Sequence, residues 1–316
     1  MTRVAAIDCG TNSIRLLVAD VPAEGAHVEV LRRMEVVRLG EGVDATGRLA
    51  PQAVERTRLV LAEYAAAARQ LGAERVRMVA TSASRDAANR ADFEDMVQAT
   101  LGQLPDVVPG LEEARLSFRG ATGSLAAAAA AHGGPPPAAP YLVVDIGGGS
   151  TEFVLGDVDG VRAARSVDIG CVRLTERHLH SDPPTSEEIQ RAESDVRAAL
   201  AVVVADVPVG EARTLVGLAG SVTTVAALAL GLPGYDPAAL HGARVSVSAV
   251  RSVTAGLLTA TRARRAALPV MHPGRVDVIG AGALVLRVVM DALALDEVVV
   301  SEHDILDGIA LTLARG

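Results

Sequence analysis

The sequence predicts an α/β protein built from two related domains, and three observations lead to this prediction. Apolar strand-like runs alternate with helical stretches along the 316 residues, which is typical of α/β folds. An apolar run followed by Asp-x-Gly-x-x-Ser occurs at residues 4–13 and recurs at 141–150. A segment rich in glycine and proline, residues 133–137, precedes the second copy and reads as a linker. The predicted domains are therefore residues 1–130 and 131–316.

The composition narrows the classes of partner. Half of the residues are hydrophobic, enough for a core in each domain, and the net charge of −8 argues against broad binding to DNA. Two cysteines far apart do not make a disulfide framework, which indicates a reducing cytoplasm. The uncharged stretch 214–235 contains glycine and proline, so it reads as strand, loop and buried helix, and no membrane partner is expected.

The first half of the chain continues from its Asp-x-Gly-x-x-Ser loop into β-forming runs and then a helix. Pro51 suits the first turn of that helix, and Gly72 suits its end. The elements predicted here are strands at 14–20, 28–37 and 75–80 and helices at 51–71, 91–101 and 112–131. The last of these is predicted as a single long helix rich in alanine.

The second half repeats the strand–loop–strand pattern. Its predicted elements are strands at 151–157, 161–167, 213–216 and 297–301 and helices at 186–205, 248–261, 275–293 and from 304 onward. A third glycine turn, residues 217–221, opens an apolar helix.

The loops predict phosphate binding. Glycine lets backbone N–H groups turn toward an anion, and serine or threonine adds donors. An Asp at the end of a strand can help to hold a divalent cation that screens phosphate charge. The third turn lies at a helix N-terminus, where the helix dipole also favours an anion. The candidate phosphate ligands are Gly10, Thr11, Asn12, Ser13, Gly147, Gly148, Gly149, Ser150, Gly220 and Ser221.

Six motifs, in order along the chain, resemble those of the exopolyphosphatase/guanosine pentaphosphate phosphohydrolase (Ppx/GppA) family of the actin-like superfamily. They are a first phosphate loop at 8–15, Thr-Ser-Ala-x-Arg at 81–85, Glu-Glu-Ala-Arg at 112–115, a second phosphate loop at 145–152, the stretch 170–176 and the turn 217–221. The resemblance runs from residue 3 almost to the last. It implies two actin-like (ribonuclease H-like) domains with an active-site cleft between them.

The resemblance also implies residue roles. Glu113 takes the place of the base that activates the attacking water, while Glu112 is expected to be structural. Arg85 occupies the position that contacts the terminal phosphate, where a cation stabilises charge during phosphoryl transfer. Asp145 and Glu152 match the acidic positions that hold Mg²⁺, with Asp8 as a helper.

The function implied by this resemblance is exopolyphosphatase: water attack, assisted by Mg²⁺ and with K⁺ as a further activator, releases orthophosphate from the end of polyphosphate. A homodimer is expected from the same resemblance. The near alternative is hydrolysis of guanosine pentaphosphate (pppGpp), which uses the same catalytic parts. A more distant alternative is an actin-like sugar or acid kinase or nucleotide-binding protein, which shares the loops. The motifs that contain Arg85 and Glu113 favour a hydrolase over that last class.

Overall fold

The protein divides into two compact units in the computed structural model, which describes residues 1–22 and 27–314. Unit 1 contains Met1–Gly123 and the segment from Asp304 onward, and unit 2 contains Ser124–His303. The predicted domains, 1–130 and 131–316, differ from these units in two places. Residues 124–130 belong to unit 2, and the C-terminal helix belongs to unit 1.

The secondary structure alternates between strands and helices in both units. Before the chain passes from unit 1 to unit 2 after Gly123, the elements are β1 (Thr2–Cys9), β2 (Ser13–Val21), β3 (Val28–Val36), α1 (Val43–Thr46), α2 (Pro51–Gln70), β4 (Arg75–Ala80), α3 (Ser82–Asp86), α4 (Arg90–Leu101), β5 (Asp106–Val107) and α5 (Gly110–Thr122). Unit 2 contains α6 (Leu125–Ala131), β6 (Tyr141–Ile146), β7 (Thr151–Asp157), β8 (Gly160–Val167), α7 (Cys171–His178), α8 (Ser186–Asp206), β9 (Thr214–Leu218), α9 (Ala219–Ala229), α10 (Pro237–Leu240), β10 (Arg244–Ser246), α11 (Val247–Thr259), α12 (Arg262–Ala266), α13 (Ile279–Ala292) and β11 (Glu297–Val300). The last helix, α14 (Ile305–Leu313), returns to unit 1.

Each unit is built on a mixed sheet with the same strand order. In unit 1 the order is β3-β2-β1-β4-β5, and in unit 2 it is β8-β7-β6-β9-β11, with β10 added at the edge. The first three strands of each unit pair antiparallel, and the remaining common strands pair parallel. A β-bulge falls at equivalent places, Val18/Ala19 and Leu155/Gly156. The prediction of two related α/β domains of ribonuclease H-like topology is confirmed.

The sheet of unit 1 is covered on both faces. Alternate residues of β1 pack on opposite sides: Ile7 joins the core with α2 and α4, and Ala6 joins the core with α14. A strand that is buried on both faces reads as a nearly continuous apolar run, which is why β1 was recognisable in the sequence.

Helix α14 belongs to unit 1 because it packs closely against α5. A Cβ on Gly308 would lie less than 3.0 Å from the backbone carbonyl of Leu116, and a Cβ on Gly120 would lie equally close to that of Asp304. Ile305 and Ile309 are buried in the same core as Leu116. This contact joins the end of the chain to its first half, a long-range pairing that sequence periodicity does not report.

The helix predicted at 112–131 is two helices, α5 and α6, separated at Gly123 and Ser124. Ser124 is the N-cap of α6, with φ −119° and ψ −1°. Its hydroxyl bonds two histidine rings of unit 2 instead of the backbone of α6. The run of alanines favoured a continuous helix, but the tertiary contacts of Ser124 override that local preference.

The remaining predicted elements agree with the structure to within a few residues. Helix α13 begins at Ile279 rather than 275, because Pro273–Arg275 forms a separate 3-10 turn. Across residues 1–22 and 27–314, no helix combines the length and the apolar character that a bilayer crossing needs. Cys9 and Cys171 are free and buried.

Candidate active site

The two predicted phosphate loops have the same turn. In the first loop, residues 10–13, the amide of Gly10 donates to the Ser13 carbonyl at 3.0 Å. In the second, residues 147–150, the amide of Gly147 donates to the Ser150 carbonyl, also at 3.0 Å. The sequence repeat therefore corresponds to a repeated backbone conformation.

The carbonyl groups of both loops are turned toward the segment that follows the third strand of each unit. Asn12 accepts from the amides of Val37 and Arg38, and Gly148 accepts from the amide of Val172. Within the described part of the chain, the central amides of the loops, those of Thr11, Asn12, Gly148 and Gly149, donate to no protein acceptor. Amides arranged in this way are donors for an anion.

The second loop lies directly against the N-terminus of α7. A Cβ on Gly170 would come within 3.0 Å of the Gly148 backbone, so only glycine permits this approach. The amide of Cys171 donates to the Gly147 carbonyl at 2.9 Å, and Nε of Arg173 donates to the Gly149 carbonyl at 2.8 Å. A helix N-terminus and a guanidinium beside the loop both favour negative charge.

The hydroxyl of Thr11 connects the first loop to α3. Its Oγ1 lies 2.8 Å from Oγ of Ser82. Ser82 belongs to the motif that ends at Arg85, so the structure brings two of the predicted motifs of unit 1 together.

Arg85 and Glu113 form an ion pair. Nη1 of Arg85 donates to Oε2 of Glu113 at 3.1 Å and to the Val108 carbonyl at 2.9 Å. Nη2 of Arg85 makes no hydrogen bond to the residues that the structure describes. Glu113 is buried in the first turn of α5, whereas Glu112 is more exposed and lies 3.9 Å from Arg115. The sequence predicted roles for Arg85 and Glu113, and the structure adds that they touch.

Asp8 stands at the end of β1 in a buried ion pair. Its Oδ2 accepts from Nη2 of Arg15 at 2.6 Å and from Nε at 3.0 Å. Arg15 also pairs with Asp304. Burial raises the pKa of Asp8, and the charge of Arg15 opposes that shift. Oδ1 of Asp8 accepts no hydrogen bond among the described residues, so one oxygen is left for another ligand.

Asp145 and Glu152 lie side by side in unit 2. They face each other in the register of β6 and β7, which places both side chains on one face of the sheet. Both are buried, and Oε1 of Glu152 accepts from the Ser166 hydroxyl at 2.7 Å. Carboxylate oxygens are ligands that Mg²⁺ accepts, usually one or two per ion with water and phosphate completing the shell. Among the described residues no group of three or more His, Cys, Asp or Glu side chains that could hold a metal ion is found.

The third glycine turn is packed against α13 and α7. A Cβ on Gly282 would overlap the Ser221 side chain and would lie 3.3 Å from Cβ of Cys171, so the turn and the start of α7 pack on the same residue of α13. Burial raises the pKa of Cys171, as it does for Cys9, so neither thiol is suited to act as a nucleophile. Gly220 and Ser221 therefore lie at the N-terminus of α9 beside the start of α7, which contacts the second loop.

Ala219 at this turn has φ +69°, a left-handed conformation. Such a conformation costs an L residue about 1–2 kcal/mol, whereas glycine adopts it freely but loses about 0.5–1 kcal/mol more entropy on folding. We expect Ala219→Gly to stabilise the protein by about 0.5–1 kcal/mol, measured as a shift in the urea midpoint. Ala226→Gly, in the interior of the same helix, is the control and should destabilise by about 1 kcal/mol. A destabilised Ala219→Gly variant would contradict the expectation.

Sequence reasoning missed Arg275. Its guanidinium covers Gly220 so closely that a Cβ there would collide with it, and Nη1 donates to Oγ1 of Thr224 at 3.3 Å. No carboxylate pairs with Arg275 in the ranges 1–22 and 27–314. A partly buried cation without an acid beside a phosphate-type turn is a candidate anion ligand. The sequence signal was faint, because Arg275 reads as the start of helix α13.

The predicted site residues thus gather in two groups. In unit 1 the first loop lies beside the motif of Arg85, which pairs with Glu113. In unit 2 the second loop lies against α7, and Gly282 of α13 packs against both Cys171 of α7 and Ser221 in the turn that Arg275 covers. Asp8 and Asp145 occupy equivalent positions near the ends of β1 and β6, where Arg15 is the strand partner of Asp8 and Glu152 is the strand partner of Asp145.

Comparison with known proteins places the chain among phosphatases. The sequence profile of the Ppx/GppA phosphatase family matches residues 17–315. The chain is 54% identical to exopolyphosphatase 2 of Mycobacterium tuberculosis over an alignment 326 positions long, which covers 99% of each protein. It is 32% identical to guanosine-5'-triphosphate,3'-diphosphate pyrophosphatase of Photobacterium profundum, over 69% of this chain and 42% of that protein. A solved exopolyphosphatase-like protein superposes with a TM-score of 0.93 at 43% identity, covering 98% of this chain and 97% of the other.

Proposed function

The chain belongs to the Ppx/GppA phosphatase family, and from that premise we propose that it is an exopolyphosphatase. It releases orthophosphate from the end of inorganic polyphosphate by attack of water on the terminal phosphorus. The observation that carries the proposal is the contact of Arg85 with Glu113 beside a glycine phosphate loop. That contact sets a cation for phosphate next to a carboxylate that can accept a proton.

In the proposed reaction, Glu113 takes a proton from the attacking water while the oxygen of that water bonds to phosphorus. The bond between that phosphorus and the bridging oxygen breaks, and the bridging oxygen leaves with the shortened chain. Water is a poor nucleophile, and a positioned general base contributes about 10²–10⁴-fold to such a step. The pairing with Arg85 supports this role, because it fixes the carboxylate of Glu113 in one direction.

Arg85 binds the terminal phosphate in this proposal. Its Nη2 is available while Nη1 stays on Glu113 and the Val108 carbonyl, so Arg85 can contact phosphate without leaving the base. The charge on the equatorial oxygens grows during transfer, and a cation placed there stabilises the transition state.

The two loops and the third turn are proposed to hold the phosphates through their amides and hydroxyls. Arg275 adds a cation to the group in unit 2, and Arg173 adds a second beside the loop. That a single substrate contacts both units stays a prediction of the sequence.

Mg²⁺ is the proposed cofactor, held by Asp145 and Glu152. Two hard carboxylates on one sheet face, with fewer than three protein ligands among the described residues, fit an ion that also takes water and phosphate oxygens. When bound, Mg²⁺ screens the charge of the phosphates. Oδ1 of Asp8 accepts no hydrogen bond from the residues that the structure describes, which supports a helper role by way of water.

Hydrolysis of guanosine pentaphosphate is the second candidate, favoured by the similarity to the Photobacterium pyrophosphatase. The same base and cations serve both reactions, and the substrates differ only behind the terminal phosphates. The higher identity to exopolyphosphatase 2 over the whole chain favours polyphosphate.

The proposal is tested by offering the purified protein with Mg²⁺ polyphosphates of several lengths, guanosine pentaphosphate, and ATP with sugars. Release of orthophosphate from polyphosphate is the expected result. Faster release from guanosine pentaphosphate would favour the second candidate. Sugar-dependent formation of ADP without phosphate release would overturn the hydrolase proposal and return the chain to the kinase class. Addition of K⁺ to the same assay tests activation by a monovalent cation.

Glu152→Gln is expected to raise the Mg²⁺ concentration for half-maximal activity by about tenfold, because it removes one of two carboxylate charges near the ion. Activity titrations and calorimetry of Mg²⁺ binding measure this shift. Asp157→Asn is the matched control, since it removes a carboxylate at the other end of the same strand. An unchanged half-saturation in Glu152→Gln would remove this residue from the metal site.

A cytoplasmic location and a homodimer are part of the same proposal. Two free, buried cysteines are consistent with a reducing compartment. Sedimentation of the purified protein tests the dimer.

A further inference from the structure

We propose that Ser124, His241 and His303 form a clamp that holds together the two places where the chain crosses between the units. The chain passes from unit 1 to unit 2 after Gly123 and returns after His303. Ser124 and His303 are therefore the first and last residues of unit 2, and a direct hydrogen bond joins them. We call the three residues the crossing clamp.

Ser124 is diverted from its usual local role. Serine at a helix N-cap normally accepts from an amide of the first turn. Ser124 caps α6 but makes no such bond. Its Oγ lies 2.9 Å from Nε2 of His241 and 2.8 Å from Nδ1 of His303 instead. The hydroxyl gives up a local helix contact for one that spans 179 residues of sequence.

The donors and acceptors of the clamp form a directed series. Nδ1 of His241 accepts from the amide of Glu302 at 3.3 Å, so a neutral His241 carries its proton on Nε2. Nε2 then donates to Oγ of Ser124, and the Ser124 hydroxyl proton is left for Nδ1 of His303. The two rings stack with centroids 4.4 Å apart. The Ser124 hydroxyl is the shared partner of both histidine rings, and alanine at position 124 would remove both hydrogen bonds.

The segment around His241 anchors both crossings within unit 2. His132 at the end of α6 bonds the His241 carbonyl at 2.9 Å, and Gly242 packs against Ala128 of the same helix. The amide of Gly242 also donates to the Val300 carbonyl at 2.8 Å, at the end of β11. Helix α6 follows the first crossing and β11 leads to the second. The segment 241–242 contacts both elements and therefore holds them together.

On the side of unit 1 the crossings are again in contact. Gly120 lies against the backbone of Asp304, with no room for a Cβ. Asp304 caps α14 by accepting from the amide of Leu306 at 2.9 Å, and the carboxylate of Asp307 accepts from the amide of Asp304. The two crossings therefore contact each other at both ends, through Gly120 and Asp304 in unit 1 and through Ser124 and His303 in unit 2. Only residues 121–123 lie between the two fixed points on the first crossing.

Asp304 connects the clamp to the first phosphate loop. It follows His303 directly, and its carboxylate pairs with Arg15, which binds Asp8 at the end of β1. A shift of the second crossing therefore reaches the strand that leads into the loop. We infer that the clamp residues are positioning residues for the first loop, a kinetic role that rests on the proposed phosphatase function.

The test measures the distance between the units in the full-length protein. Spin labels on Glu63→Cys in unit 1 and Ala198→Cys in unit 2 report that distance by double electron–electron resonance. Both positions are exposed, whereas Cys9 and Cys171 are buried and resist labelling. Ser124→Ala is expected to broaden the distance distribution, and Ser124→Thr, which keeps the hydroxyl, is expected to restore the width of the unsubstituted protein.

Ser301→Ala is the matched control. The Ser301 hydroxyl donates to the His303 carbonyl at 2.7 Å, so its loss loosens the same segment without cutting the link to Ser124. An equal broadening in Ser301→Ala and Ser124→Ala, or none in Ser124→Ala, would overturn the clamp. Because this readout needs no substrate, it stands whether or not the protein hydrolyses polyphosphate.

The kinetic arm uses the substrate found active in the assay above. Ser124→Ala should lower kcat by about tenfold, because a small misplacement of a substrate-positioning loop carries a loss of this order. Ser124→Thr, which keeps the hydroxyl, should restore kcat, and an equal loss of kcat in Ser124→Thr would contradict the positioning role. A broadened distribution with unchanged kcat would keep the clamp but refute its effect on the loop.

Discussion

Glu113→Gln is expected to lower kcat by about 10²–10⁴-fold while leaving substrate affinity nearly unchanged. Glutamine keeps the size of the side chain and an oxygen that can accept from Arg85, but it cannot take a proton from water. The contact with Arg85 at 3.1 Å should therefore survive in the variant. Single-turnover phosphate release, together with equilibrium binding of polyphosphate, separates the chemical step from binding.

Glu112→Gln is the matched control for this experiment. It lies in the same helical turn, but its carboxylate is more exposed and lies 3.9 Å from Arg115, a surface pair worth little. We expect its kcat to stay within about twofold of the unsubstituted protein. Full activity in Glu113→Gln, or an equal loss in both variants, would show that Glu113 is not the base.

Gly308→Ala is expected to destabilise unit 1 by about 3 kcal/mol. The added methyl group would lie less than 3.0 Å from backbone atoms of Leu116, which cannot move aside as a flexible side chain would. Helix α14 must then separate from α5, and the apolar contacts of Ile305 and Ile309 weaken. Because α5 begins with the turn that carries Glu113, activity should fall together with stability.

Gly256→Ala provides the opposite control. Gly256 lies in the interior of α11, and the position that a Cβ would take there has no other atom within 4 Å, so alanine should stabilise by about 1 kcal/mol. Urea unfolding of both variants gives the comparison. If Gly308→Ala were as stable as the unsubstituted protein, the close packing of α14 on α5 would be wrong.

Much of the fold was predictable because its signals are local. The strand before each loop is apolar on both faces, Pro51 begins α2 and a capping box formed by Thr185 and Glu188 begins α8. The break at Ser124 and the placement of α14 were not predictable. Both depend on contacts between residues distant in sequence, such as Ser124 with His303 and Gly120 with Asp304.

The candidate site divides in the same way. The loops carry a spacing that repeats, so their residues were predicted from the sequence. Glu113 and Arg85 needed a resemblance, because an acid in the first turn of a helix is ordinarily a dipole partner. Neither the repeated spacing nor the resemblance indicated Arg275. What distinguishes this residue is the absence of a carboxylate partner within the described residues, which is a property of the folded chain.

The position of α14 has a consequence for synthesis on the ribosome. Unit 2 is one continuous segment, Ser124–His303, and can complete its core as soon as it emerges. Unit 1 is translated first, yet the face of its sheet with Val4, Ala6 and Leu17 stays uncovered until residues 305–310 appear. Unit 1 therefore completes its core after the whole of unit 2 has been synthesised, which reverses the usual order in which the N-terminal domain folds first. Until residues 305–310 have been synthesised, this face is exposed apolar surface, which makes the nascent chain prone to aggregation. The helix that begins with the turn of Glu113 reaches its final packing only after that point.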